Sequence, residues 1–63
     1  MERAELEKQF GTSQVWNTDE LQEEFSVIGF MAPFVTVKDK KTGKTASMEF
    51  QHMPRFYFDL RWD

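Results

Sequence analysis

The carboxy-terminal segment shows the clearest alternation of apolar and polar positions in the chain. Every second residue in it is large and apolar: Phe56, Phe58, Leu60 and Trp62. A period of two residues predicts a β-strand over residues 55–63 with one buried face, which the rest of the chain must cover. The alternation places Tyr57 on the outward face, together with Arg55 and Arg61.

Three further strands are predicted ahead of this segment, each rich in β-branched or aromatic residues. They are Ser26–Phe30, Phe34–Lys38 and Thr45–His52. Pro33 and Pro54 separate neighbouring strands, because proline cannot donate a hydrogen bond to a β-ladder. Residues 40–43 form a turn, in which Gly43 can adopt a positive φ.

The length of the loop between the second and third strands decides which of their faces match. A loop with an even number of residues puts Val35 and Val37 on the same face as Met48. A three-residue loop with a bulge puts Phe34 there instead. We favour the even loop, because it places Glu49 on the face away from the valines.

A first helix is predicted over residues 2–10. Good helix formers fill this segment, Leu6 and Phe10 lie one turn apart, and Gly11 follows as a helix stop. The apolar stripe is only two residues wide, so residues 1–15 are expected to form a loosely attached helix and linker.

A second helix is predicted from Thr18 to about residue 25 by a stronger signal. Asn17 can serve as the N-cap, and Glu20 falls three residues later, where it completes a capping box. Trp16 and Leu21 have the spacing of a hydrophobic staple across this helix start. Leu21 can therefore pack against the sheet.

Together these patterns predict an α+β fold in a single domain of residues 1–63. It consists of a small antiparallel β-meander of three to four strands, with one or two short helices packed on one face. A chain of this length buries only about 60% of the surface that its unfolded form exposes. A binding partner, including a second copy in a homodimer, would add to that burial.

The composition narrows the class of protein. The chain has no cysteine, which excludes disulfides and the commonest structural zinc sites. Its first residues are charged, and no segment has the roughly 20 apolar residues of a membrane-spanning helix. We therefore expect a cytoplasmic protein that does not bind a membrane.

The sequence lacks the residue sets that catalysis requires. His52 is the only histidine, and no cysteine or spaced carboxylate cluster accompanies it. Its expected role is a hydrogen bond near the turn at Pro54. Gly43-Lys44-Thr45 resembles the end of a phosphate-binding loop, but a strand rather than a helix follows it. No enzyme activity, catalytic residue, cofactor or metal is therefore expected.

Two binding surfaces are candidates. The first is a protein-binding surface on the last strand, formed by Arg55, Tyr57 and Arg61, in which a sheet edge or exposed aromatic rings dock on a protein partner.

The alternative is a surface for single-stranded nucleic acid, in which lysines at a hairpin tip contact phosphates beside aromatic rings that stack on bases. These lysines are Lys38, Lys40, Lys41 and Lys44. The net charge of −3 makes this alternative the weaker one.

Three runs of the sequence, Trp16–Leu21, Val27–Val35 and Glu49–Phe58, resemble a group of very short, uncharacterised proteins from bacteriophages and their bacterial hosts. The resemblance spans residues 16–58. It implies a small accessory factor that acts inside a bacterial cell by binding a host or phage component, and it carries over no catalytic residue.

Overall fold

The computed structural model describes residues 1–63, with two helices followed by four strands. The elements are α1 (Arg3–Phe10), α2 (Thr18–Glu24), β1 (Phe25–Met31), β2 (Phe34–Asp39), β3 (Thr45–His52) and β4 (Arg55–Trp62). The strands form one antiparallel sheet in the order β1-β2-β3-β4. The predicted α+β fold with an antiparallel meander is confirmed.

Helix α1 ends where the sequence predicts and begins one residue later than predicted. Glu2 is its N-cap and forms a capping box with Glu5, and Gly11 ends the helix with a φ of 111°. Leu6 is fully buried in a small core. The ring of Phe10 lies 5.2 Å from the ring of Phe58 in β4. These contacts hold α1 against β4, although its apolar stripe is narrow.

Helix α2 has the predicted N-terminal cap. The Asn17 side chain accepts a hydrogen bond from the backbone N–H of Glu20 at 2.8 Å, and the Glu20 carboxylate accepts one from the backbone N–H of Asn17 at 2.9 Å. Trp16 and Leu21, the predicted staple pair, are buried in the same core. The Glu20 carboxylate also lies 2.7 Å from the guanidinium of Arg3, which links α2 to α1.

The loop between β2 and β3 has an even number of residues, as we expect from the sequence. The backbone N–H of Asp39 donates to the carbonyl of Lys44 at 2.8 Å, which leaves four residues, 40–43, in the loop. Val35 consequently pairs with Met48. The predicted match of strand faces is confirmed.

Strand β4 contains a β-bulge that the sequence pattern does not reveal. Phe58 pairs with Glu49 of β3, whereas the next aligned pair joins Arg61 to Ser47. Between these pairs β4 has one residue more than β3. Asp59 accommodates the extra residue with a φ of 58°, in the left-handed region.

The bulge reverses the alternation of side chains along β4, so the prediction of one apolar face is wrong. Phe56 and Phe58 lie on the side of α1. Leu60 packs against the core on the side of α2, and the Trp62 ring lies 6.1 Å from the ring of Phe25. The strand itself is where the sequence predicts it.

Neighbouring residues of β4 therefore enter two separate cores. Tyr57 belongs to the main core between the sheet and α2, whose members are Trp16, Leu21, Phe25, Val35, Val37, Ala46, Met48 and Tyr57. Phe58 belongs to the smaller core with Leu6 and Val15. Because successive strand residues point to opposite faces, α2 covers one face of the sheet and α1 contacts β4 from the other.

The bulge generates a prediction about Asp59. Replacing Asp59 with alanine places a less tolerant residue in the left-handed region, and we expect a loss of about 1–2 kcal/mol in unfolding free energy. Asp59→Asn is the control, because asparagine tolerates this conformation but loses the carboxylate that lies 3.3 Å from Arg61. Urea denaturation measures both variants. Equal losses in both would contradict a conformational role.

The cap of α2 generates a prediction about pH. The pKa of Glu20 is lowered by the hydrogen bond from the backbone of Asn17 and, next, by that from Arg3. A lowered folded-state pKa gives stability that is present above the unfolded pKa, about 4.3 for glutamate, and is lost as pH falls through the folded value. We expect Glu20→Gln to destabilise the protein most near neutral pH, and progressively less as pH falls below about 4.

Denaturant titrations of the wild type and Glu20→Gln across this pH range measure the effect. Glu23→Gln is the matched control, since Glu23 lies on the same helix outside the capping box. A wild-type advantage that stays constant from neutral to acid pH would contradict the assignment.

Candidate functional site

Helix α2 covers only part of the apolar face of the sheet. Its seven residues extend about 10 Å, whereas the eight residues of β3 extend about 26 Å. The backbone N–H of Lys40 donates to the carbonyl of Glu24 at 3.0 Å, so the end of α2 lies beside the turn at residues 40–43. The opposite end of the face, at the turns that contain Pro33 and Pro54, is left uncovered.

An open groove occupies this uncovered end. Its lining residues are Phe30, Ala32, Pro33, Phe50, His52 and Arg55, and we call it the proline-turn groove. Two consecutive hairpins of a meander place their turns at alternate ends of the sheet, so the first and third turns meet at the same end. The backbone N–H of Phe50 donates to the carbonyl of Pro33 at 2.9 Å and joins the two sides of the groove.

A row of aromatic rings connects the groove to the main core. The ring of Phe30 meets that of Phe50 edge to face, with 5.6 Å between centroids and 82° between planes. The ring of Phe50 lies 6.0 Å from that of Tyr57 in the core. Phe30 remains 58% exposed although it pairs with the buried Val35, so it stands on the main apolar face without a cover.

Arg55 supplies the charge of the groove. Its guanidinium carbon lies 5.3 Å from the centre of the Phe50 ring, a cation–π contact. It also hydrogen-bonds to Nδ1 of His52 at 2.7 Å, which confirms the predicted hydrogen bond of His52 near the turn. The ion pairs of the chain involve Arg3 and Arg61 but not Arg55. No carboxylate therefore neutralises Arg55.

The predicted protein-binding residues of β4 do not share an exposed face. Tyr57 is only 2% exposed and belongs to the main core, so its predicted outward position is wrong. Arg55 lies on the same face as Tyr57. Arg61 follows the bulge, pairs with Ser47 and lies on the other face. The alternation predicts one face for all three residues because it does not include the extra residue at Asp59.

The edges of the sheet also differ from each other. The edge at β4 is partly occupied, because Trp16 and Tyr57 exchange two backbone hydrogen bonds, at 3.0 and 2.8 Å. The edge at β1 has no neighbouring strand. β1 has no charged residue, and Ile28 and Met31 on it are exposed.

The lysines of the alternative site lie at the other end of the sheet from the groove. Lys38, Lys40, Lys41 and Lys44 are exposed around the turn at residues 40–43, as the sequence predicts. The length of β2, six residues or roughly 20 Å, separates them from the proline-turn groove. The ammonium group of Lys40 also donates to the carbonyl of Gln22. The half-exposed ring of Trp62 lines one cavity with Lys44, and Asp39 and Asp63 line the same cavity.

The alternation along β4 predicts that Arg55 lies on the surface, but it does not reveal the groove that Arg55 shares with Phe30. The available signal is the pair of prolines, Pro33 and Pro54, in the first and third turns of a meander. Such turns lie at the same end of the sheet, and the residues beside them can therefore form one surface.

Comparisons with models of known protein families, with curated proteins and with solved structures find no match. The resemblance to short bacteriophage and bacterial proteins therefore stays a prediction. Neither helix has the length and apolar character needed to cross a bilayer. Nowhere do three or more histidine, cysteine, aspartate or glutamate side chains form a group that could hold a metal ion.

The burial of Tyr57 generates a prediction that separates a core role from a surface role. Removing a buried aromatic ring lowers the free energy of unfolding by about 3–5 kcal/mol. That is a large part of the roughly 3–9 kcal/mol of unfolding free energy expected for a chain of 63 residues. We expect Tyr57→Ala to be largely unfolded at room temperature. Tyr57→Phe keeps the ring and should stay folded. Circular dichroism with urea titration measures both, and a fully stable Tyr57→Ala would contradict the core assignment.

Proposed function

We propose that this chain is a non-enzymatic interaction protein that binds another protein through the proline-turn groove. The observation that carries the proposal is the exposure of Phe30 on the uncovered part of the main apolar face. Monomeric proteins rarely expose contiguous apolar patches larger than about a few hundred Å², and larger patches commonly mark binding sites. Aromatic side chains and arginine, both present in this groove, are also enriched in the cores of protein interfaces.

The surroundings of the groove support the same function. Most of the exposed large apolar residues lie on the β1–β2 hairpin: Val27, Ile28, Phe30, Met31 and Phe34. An uncharged strand with a free edge can also accept an extended segment of a partner by backbone pairing. The adjoining edge of β1 can therefore enlarge a contact that begins in the groove.

Binding of single-stranded nucleic acid has less support. It needs bases stacked on rings and phosphates on cations within one surface. The exposed lysines are at the turn of residues 40–43, whereas the exposed ring of Phe30 is at the opposite end of the sheet. The half-exposed ring of Trp62 does line a cavity with Lys44, but the carboxylates of Asp39 and Asp63 line the same cavity and repel a phosphate. The proline-turn groove has a single arginine, which is a small share of the cations that phosphate binding uses.

A selection from a library of displayed random peptides tests the proposal, because it does not require an identified partner. We expect clones enriched on the immobilised wild type to lose about tenfold or more in affinity for Phe30→Lys, because a charge on the groove wall must be desolvated when a ligand covers it. Biolayer interferometry measures the affinities, and thermal unfolding confirms that the variants fold.

Phe34→Lys is the matched control. Phe34 is 51% exposed, lies in the same hairpin and has the same side chain, but it pairs with Glu49 on the opposite face of the sheet. Its substitution should leave binding of the selected peptides unchanged. Selected peptides that bind Phe30→Lys as well as the wild type, or a selection that enriches no clone, would count against the proposed function.

A further inference from the structure

We infer that the partner segment recognised by the proline-turn groove has an aromatic or large apolar side chain next to a carboxylate. This inference rests on the proposed function and specifies the chemistry of the ligand. It follows from the hydrogen-bonding capacity of the polar end of the groove and from the apolar character of the remaining walls.

The polar end of the groove has unused donors. A guanidinium carries five N–H donors and no acceptor. Within the chain, Arg55 makes a single side-chain hydrogen bond, to Nδ1 of His52. The other donors of its guanidinium are left for water or a ligand, and the contact with the Phe50 ring holds the planar group over the floor of the groove.

His52 adds a further donor to the same place. Its Nδ1 must accept the hydrogen bond from Arg55, because a guanidinium can only donate. In a neutral imidazole the second nitrogen, Nε2, then carries the proton and is a donor. The side chains at the polar end of the groove therefore present donors alone, and the matching ligand group is an acceptor such as a carboxylate.

The chain has no acid of its own to fill this position. None of the residues that line the groove is acidic. Glu49 pairs with Phe34 and Phe58 on the other face of the sheet, and Asp59 lies 3.3 Å from Arg61. A carboxylate from a ligand would accept a charge-assisted hydrogen bond from the partially buried guanidinium of Arg55.

The apolar walls of the groove favour an aromatic or large apolar side chain in the ligand. Phe30 presents its exposed ring beside Ala32 and Pro33, and Phe50 forms the floor. An aromatic side chain of a partner can pack against these rings while an adjacent carboxylate reaches Arg55. A phosphate also accepts hydrogen bonds, but one arginine in a chain with a net charge of −3 favours a peptide over a polyanion.

Short acetylated and amidated peptides test the inference on the full chain. The probes are Gly-Asp-Phe-Asp-Gly, the same peptide with asparagine in place of aspartate, and the same peptide with alanine in place of phenylalanine. Two-dimensional NMR titration reports binding at the Phe30 ring and at the Nε–H of Arg55. We expect the acidic aromatic peptide to bind about tenfold more tightly than the asparagine peptide, the effect of one charge-assisted hydrogen bond. It should also bind more tightly than the alanine peptide, which lacks the ring that packs against Phe30.

Two arginine variants test whether Arg55 causes the preference for the aspartate peptide. Arg55→Gln should abolish the preference for aspartate over asparagine, mainly by weakening the binding of the aspartate peptide. Arg61→Gln is the matched control, since Arg61 is the other arginine of β4 and lies on the other face. It should keep the full preference.

The results that would overturn this inference differ from those that would overturn the proposed function. Equal affinity for the aspartate and asparagine peptides, or a preference that survives Arg55→Gln, overturns the inference, while the Phe30→Lys selection can still succeed. Tighter binding of a short oligo-deoxythymidine at the same NMR signals also overturns it, in favour of a nucleic acid. If peptides selected from the library bind Phe30→Lys as tightly as the wild type, the proposed function itself is overturned.

Discussion

The structure depends on one strand, β4, that buries neighbouring side chains on opposite faces of the sheet. Tyr57 completes the main core under α2, and Phe58 completes the smaller core with Leu6 under α1. The backbone pair of Trp16 with Tyr57 fixes the segment between the helices to the same strand. Helix α1 is thereby attached at the β4 edge of the sheet, whereas α2 packs against both β4 and β1 and continues directly into β1. The two cores on opposite faces hold both helices without a disulfide.

This arrangement also determines where apolar surface remains exposed. Helix α2 packs against β1 and β4 at the end of the sheet that holds the turn at residues 40–43, and it is too short to reach the other end. The row of rings from Tyr57 through Phe50 to Phe30 therefore runs from the core into solvent. The proposed binding surface is a continuation of the hydrophobic core, and its rings are positioned by the same packing that stabilises the fold.

Electrostatic contacts are distributed unevenly over the molecule. Around the helices, Arg3 joins Glu7 and Glu20 and donates to the carbonyl of Val15, which fastens α1 to α2 and to the connecting segment. At the proline turns, Arg55 has no acidic neighbour. Arg3 and Arg61 thus have carboxylate partners within the chain, whereas Arg55 has none, and the proposed ligand chemistry follows from this difference.

The sequence by itself determined the N-terminal cap of α2, the end of α1 at Gly11, the four strands, the register at the four-residue loop and the surface position of the lysines. These features depend on neighbouring residues, such as Asn17 with Glu20 at the start of α2. Only the tertiary structure decided the faces of β4 and the existence of the groove. The bulge at Asp59 shifts the register by one residue, and an alternation of large side chains does not reveal such a shift. The exposure of Phe30 depends on how far α2 extends across the sheet, and α2 is distant from the groove residues of β3 and β4 in sequence.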